Sequence, residues 1–297
     1  MQNCFYETKS MKRKFGSYAV VIIMFLLALF WAPQNNGGVP GASEPPRPGR
    51  TEEAGINVLE AAAEEDAAAG TDAPAGTAGI RAAIQNPGAD TATIIFTFDD
   101  GYVSDYEIAY PILKQYGICG TSYIIPEYQD EKTPHALTWD MVKEMEQYGW
   151  VFGCHTYAHT DLIKMSSDEI KESMLKVNES FSAQGLDPPK VHAFPFGRYD
   201  QKAIDAIKPF RVQMRKAFYE TKFVDPKTAD PYEIDSCSAD MRTEKRLKEH
   251  EALVDKAVRQ KAIIVFRCHC LYKESAGDMG DWPVQTDFRL FKKLVEY

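Results

Sequence analysis

The stretch TIIFTFDDGY, Thr93 to Tyr102, sets a short apolar, β-forming run against two adjacent aspartates and a glycine. The run Thr93–Phe98 reads as a buried strand, and Asp99 and Asp100 stand at its tip. Like charges side by side at the end of an apolar strand are costly unless something neutralises them. A metal ion or a shared proton is the usual remedy, and either requires partners from elsewhere in the chain.

Downstream of this run, helical and strand patterns alternate. DYEIAYPILKQYG (105–117) has helical spacing and stops at Gly117, and CGTSYIIP (119–126) reads as a second strand. Thr138 caps WDMVKEMEQYG, which ends at Gly149, and WVFGC (150–154) is a third strand. Ser166 and Glu169 have capping-box spacing ahead of an amphipathic helix that reaches Gly185. VHAFPFG (191–197) is a strand with a proline near its tip, where it ends or turns. Helix QKAIDAIK (201–208), strand-like RKAFYET (215–221), helix EKRLKEHEALVDKAVRQK (244–261) and strand AIIVFRC (262–268) complete the series. Such alternation predicts βαβ units and a parallel sheet. Six or seven units in about 205 residues predict an α/β fold, a distorted (β/α) barrel smaller than the eight-stranded type. Its chemistry would sit at the C-terminal ends of the strands.

The partners required by the aspartates fall at such ends. The third strand runs into GCHTYAHTDL (153–162), with His155 and His159 four residues apart, a spacing at which two imidazoles can meet one ion. His269 stands at the tip of the run AIIVF. An HxxxH spacing is common by chance, and TFDDG alone also describes a strand followed by an Asp-Gly turn. Together, at strand ends and in this order, the residues point to a metal site. Cys154 adjoins His155, and Cys268 and Cys270 flank His269. Thiolates are good zinc ligands, but on a strand the two flanking cysteines face away from His269 and read as small packing residues.

The rest of the chain narrows the function further. With 297 residues and a formal charge of -9, it carries no basic stripe in its folded-looking part, which argues against nucleic acid as a partner. Six cysteines are too few for a disulfide scaffold and form no CxxC pair. Lys9, Lys12, Arg13 and Lys14 precede an apolar run from Phe15 to Ala32. This is long enough to cross a bilayer, with the basic tail 1–14 on the cytoplasmic side. A retained anchor over 15–32 is expected, with a cleaved signal segment as the alternative; Phe30 makes a poor cleavage site. Residues 33–90, rich in Pro, Gly, Ala and acidic side chains, are expected to be a disordered linker. The globular domain then spans 91–297, outside the cytoplasm. No oligomer signal is present.

In the order and spacing of TFDDGY, YPILKQYGICGTSYIIP, TWDMVKEMEQYGW and GCHTYAHTDL, the chain resembles the polysaccharide deacetylases. This is the family also called the NodB-homology domain or carbohydrate esterase family 4. The resemblance covers residues 91 to about 275 and implies a hydrolase that removes N-acetyl groups from an N-acetylated glycan. Carried over by position, Asp100, His155 and His159 are the ligands of zinc, or of another divalent metal such as cobalt, manganese or nickel. Asp99 is the general base, and His269 protonates the departing amine. Phe196, in HAFPFG, donates its backbone N–H to the oxyanion. Thr156 buttresses the histidine loop.

Departures accompany the match. The resemblance places an arginine that orients the catalytic aspartate at the position of His192, and an imidazole holds a carboxylate less firmly than a guanidinium fork. Arg267 stands where the family has an apolar residue lining the acetyl pocket. The Asp-x-x-Asp-Trp motif is missing, which leaves Asp235 or Asp240 to tune His269. The chain ends after TDFRLFKKLVEY, where relatives add a closing strand, so the barrel is expected to be open at that edge. Tyr123, Trp139 and Tyr157 are either core or sugar-stacking aromatics. The alternatives that remain are hydrolysis of another amide or an O-acetyl ester, and a catalytically impaired glycan-binding domain.

Overall fold

The computed structural model describes residues 92–217, 223–225, 228–273 and 285–297. The expected tail, anchor and linker lie outside these residues. Among the described residues, no helix is long and apolar enough to cross a membrane.

Seven parallel strands form one sheet in the order β5-β4-β3-β2-β1-β7-β6. They are β1 (Thr93–Asp100), β2 (Thr121–Ile124), β3 (Val151–Cys154), β4 (Val191–Ala193), β5 (Gln213–Arg215), β6 (Cys237–Ser238) and β7 (Ile263–Cys268). The helices between them are α1 (Tyr110–Gln115), α2 (Pro126–Asp130), α3 (Trp139–Gln147), α4 (Ser167–Ala183), α5 (Gln201–Ile207) and α6 (Glu244–Gln260). A final helix, α7 (Phe288–Glu296), follows a small parallel pair, β8 (Cys270–Tyr272) and β9 (Gln285–Asp287).

Local chemistry sets the boundaries. The Thr138 hydroxyl accepts the Met141 N–H at the start of α3, and Ser166 and Glu169 close a full capping box on α4. Gly149, at φ 103°, ends α3 in a conformation closed to most side chains. Period-2 alternation divides the sheet into two faces. Phe98, Ile124, Cys154, Phe194 and Met214 belong to the large core, whereas Tyr123, Val191 and Ala193 form a separate cluster on the other face.

Of the expected strand over 215–221, residues 218–221 lie outside the described residues; β5 ends at Arg215, where that run was to begin, and 216–217 are not strand. The expected open edge also differs. An Arg215–Ile234 parallel bridge ties β5 to the segment that leads into β6, with Lys216 N–H donating to the Ile234 carbonyl at 2.9 Å. One bridge in place of a ladder leaves the barrel incomplete there.

Candidate active site

The two aspartates part company at the tip of β1. On a regular strand, neighbours face opposite sides, and Asp99 points to the inner face, where it is buried. Asp100 has φ 72°, in the left-handed region, and this turn carries its carboxylate over the strand end towards the loop after β3. There its Oδ1 lies 3.5 Å from His155 Nε2 and 3.4 Å from His159 Nε2. One donor atom from each of the three residues lies within 4.8 Å of the others. His155 Nδ1 donates to the Ala193 carbonyl at 2.8 Å, which leaves its Nε2 lone pair aimed at Asp100. Burial drives this imidazole down to about 4 against the pull of both aspartates, so it is neutral and fit to ligate. Thr156 (φ 64°) and His159 (φ 51°) are also left-handed, and Thr156 Oγ1 accepts the Thr160 N–H at 3.0 Å. Two imidazoles and one carboxylate make a donor set that fits a divalent transition metal.

Asp99 has partners of its own. Arg215 Nη2 meets its Oδ1 at 2.5 Å, and His269 Nε2 lies 3.9 Å from its Oδ2. Burial would raise the Asp99 pKa, but Arg215, with help from His155, His269 and Arg267, holds it well below the usual carboxylate range. Arg215 also donates to Ser236 Oγ at 3.0 Å and stacks 4.8 Å from the Tyr123 ring.

His192 does not take the orienting position expected of it. It is fully buried on the helix-facing side, its Nδ1 3.3 Å from Cys154 Sγ, and burial depresses its pKa well below the ordinary value. The cause is register: His192 pairs with Met214, and Ala193 pairs with Arg215. The pleat that turns His192 away from Asp99 turns Arg215 towards it. The guanidinium that the sequence lacks at 192 thus arrives from the next strand.

Asp240 is the carboxylate behind His269. Its Oδ2 lies 3.1 Å from His269 Nδ1, and its Oδ1 accepts the His269 backbone N–H at 3.1 Å. Burial lowers the His269 pKa, but Asp240 overcomes this, and the net shift is upward. Cys154, Cys268 and Cys270 are buried free thiols, and none joins the three-residue cluster.

The two aspartates, His155, His159 and His269 open onto one cleft of about 850 Å³. Its lining includes Asp99, Asp100, His155, His159, Arg267 and His269, with Tyr102, Tyr128 and Phe196 on its walls. Phe196, at φ 58°, is exposed, with its ring 4.4 Å from that of His159. Tyr123 and Trp139 are core residues and Tyr157 is half-buried; none of the three lines the cleft. Sequence reading missed Arg215, Tyr102 and Tyr128. The signal available for Arg215 was a basic residue inside a short strand-like run.

Residues 87–214 match the family model described as polysaccharide deacetylase. The putative polysaccharide deacetylase YxkH of Bacillus subtilis is 31% identical over 121 residues, 41% of this chain and 43% of that protein. The poly-beta-1,6-N-acetyl-D-glucosamine N-deacetylase of Staphylococcus aureus is 31% identical over 159 residues, 47% of this chain and 52% of that protein. The chain thus spans about half the length of these curated relatives. Among solved structures, the Streptococcus pyogenes deacetylase PplD in complex with acetate is 25% identical, with a TM-score of 0.46, over 56% of this chain and 71% of that one. The matched region ends one residue before Arg215 but contains both aspartates and both clustered histidines, and over these residues the chain is similar to the polysaccharide deacetylase family.

Proposed function

We propose that this chain is a metal-dependent hydrolase that removes N-acetyl groups from an N-acetylated polysaccharide. The observation that carries the reading is the division of two neighbouring carboxylates over one cleft. Asp100 joins His155 and His159, while Asp99 is held between Arg215 and His269. The name of the Staphylococcus aureus relative supports a polymer of N-acetylglucosamine as the substrate class.

Asp100, His155 and His159 would hold zinc, or cobalt, manganese or nickel. Such an ion would polarise the amide carbonyl and make a water acidic at neutral pH. Asp99, ionised at any ordinary pH and fixed by Arg215, accepts the proton of the attacking water. The backbone N–H of Phe196 donates to the oxygen of the tetrahedral carbon. His269, whose proton Asp240 helps to hold, hands it to the leaving nitrogen. The resulting amine stays on the glycan, and acetate departs. Residues 15–32 serve as an anchor or signal segment in this reading, with the catalytic domain outside the cytoplasm; the basic cluster before that apolar run supports it.

The test is acetate release by the zinc-loaded full chain from N-acetylglucosamine oligomers and peptidoglycan-type glycans. Release that stops with chelator and with Asp99→Asn is expected. Intact, metal-bound protein that releases no acetate from any of them would overturn the reading.

A further inference from the structure

The floor of the cleft carries a charge that makes no contact in the mechanism beyond helping to keep Asp99 ionised. Arg267 and His269 lie two residues apart, and Arg267 pairs with Thr97, one step deeper than Asp99 on that face of the sheet. Arg267 is only 9% exposed, yet it lines the cleft beside Asp99 and His269. Its Nε has no hydrogen-bond partner. The nearby carboxylates are engaged elsewhere: Asp99 with Arg215 and His269, Asp240 with His269 and Ser238. Burial, with Arg215 close by, disfavours the Arg267 charge and lowers its pKa. A buried guanidinium without a matched acceptor is costly. A guanidinium that reaches a cleft can grip a carboxylate through two parallel N–H bonds.

The position identifies which part of a substrate would bring that carboxylate. A glycan chain has to lie along the open rim, against Tyr102, Tyr128 and Phe196. The reacting carbonyl then sits at Asp99 and His269, and what continues inward past it is the acyl tail. We propose, resting on the deacylase reading above, that Arg267 confers a further activity on this site. It directs hydrolysis of N-acyl groups that end in a carboxylate, such as N-malonyl or N-succinyl amides of an amino sugar, in preference to N-acetyl. The bond chemistry is unchanged. Water oxygen adds to the acyl carbon, the C–N bond breaks, the nitrogen takes a proton, and the product is a dicarboxylate in place of acetate.

The test compares kcat/KM of the zinc-loaded full chain on glucosamine oligomers carrying N-acetyl, N-malonyl or N-succinyl groups, together with an N-acetylmuramic oligomer. The latter bears its carboxylate on the sugar. A preference of about 10- to 100-fold for a carboxylate-bearing acyl group is expected. Arg267→Leu should abolish it and Arg267→Lys should restore part of it. Succinate should likewise bind more tightly than acetate, and lose that advantage in Arg267→Leu. Equal rates on acetyl and succinyl substrates, or an Arg267-dependent preference for the muramic oligomer alone, would overturn the proposal. Failure to hydrolyse any substrate would instead overturn the deacylase reading. In that case, Arg267-dependent succinate binding upholds the carboxylate site, and its absence overturns that too.

Discussion

Asp99 lies inside the barrel between a guanidinium and an imidazole, and its neighbour Asp100 turns over the strand tip to meet two histidines. A carboxylate buried this deeply depends on Arg215 for its charge and its direction. Replacing Arg215 with Met leaves that charge unpaired. It should cost about 3–5 kcal/mol of stability, measured by denaturant unfolding. It should also lower kcat by about 100-fold with little change in KM, because the loss is one of positioning. His192→Gln, made on the opposite face of the sheet, should leave kcat within about twofold while lowering Tm, since only packing is disturbed there. A large kcat loss in His192→Gln would show that the imidazole acts on Asp99 after all. Asp240 governs the proton on His269. The His269 pKa is raised, so the acid form persists above the ordinary histidine range, and activity falls as pH climbs through that raised value. Asp240→Asn removes the largest raising contact and leaves burial, which lowers, against the weaker pull of Asp99 and Asp100. The alkaline limb of the kcat/KM profile should therefore move to lower pH. An unmoved limb would remove Asp240 from this role.

Strand pleat and loop conformation, more than side-chain identity, direct these groups. Five residues lining or supporting the cleft, Asp100, His135, Thr156, His159 and Phe196, have left-handed backbones without being glycine. Such conformations are costly and cluster where the fold imposes a geometry for use. Gly153 serves the inner face of β3 differently. A Cβ there would lie 2.5 Å from Tyr123 Cδ1 and 2.9 Å from Val191 Cγ2, in core that cannot give way cheaply. Because the Tyr123 ring supports the Arg215 guanidinium, Gly153→Ala should destabilise by about 1–3 kcal/mol. It should also lower kcat, as read by chemical denaturation and steady-state rates on the same preparation. Destabilisation with kcat intact would mean that Tyr123 packs without steering Arg215.

At the scale of the whole molecule, the cluster joins the tip of β1 to the loop after β3. Binding there should couple to global stability. An ion that binds only the folded state adds about 2.7 kcal/mol at a hundred times its dissociation constant. Zinc should therefore raise Tm, a chelator should reverse the shift, and His159→Ala should abolish it. An equal zinc-induced rise in His159→Ala would place the ion elsewhere.

The contiguous motifs carried most of the fold and half of the site. Alternating apolar runs, the Thr138 cap and the Ser166–Glu169 box are local signals, and they located the strands and helices through β7 apart from the short helix α2, β6 and the limits of β5. β6, two residues long, is too short to show a period. Asp99, Asp100, His155 and His159 could be found because each pair stands where an apolar strand ends. Arg215 as the partner of Asp99, and the choice of Asp240 over Asp235 behind His269, were decided only in three dimensions. Arg215 is 116 residues from Asp99, and Asp240 is 29 from His269. What joins such pairs is which face each strand presents to the barrel. A one-residue change in register reverses that face, and no local pattern in the chain states it.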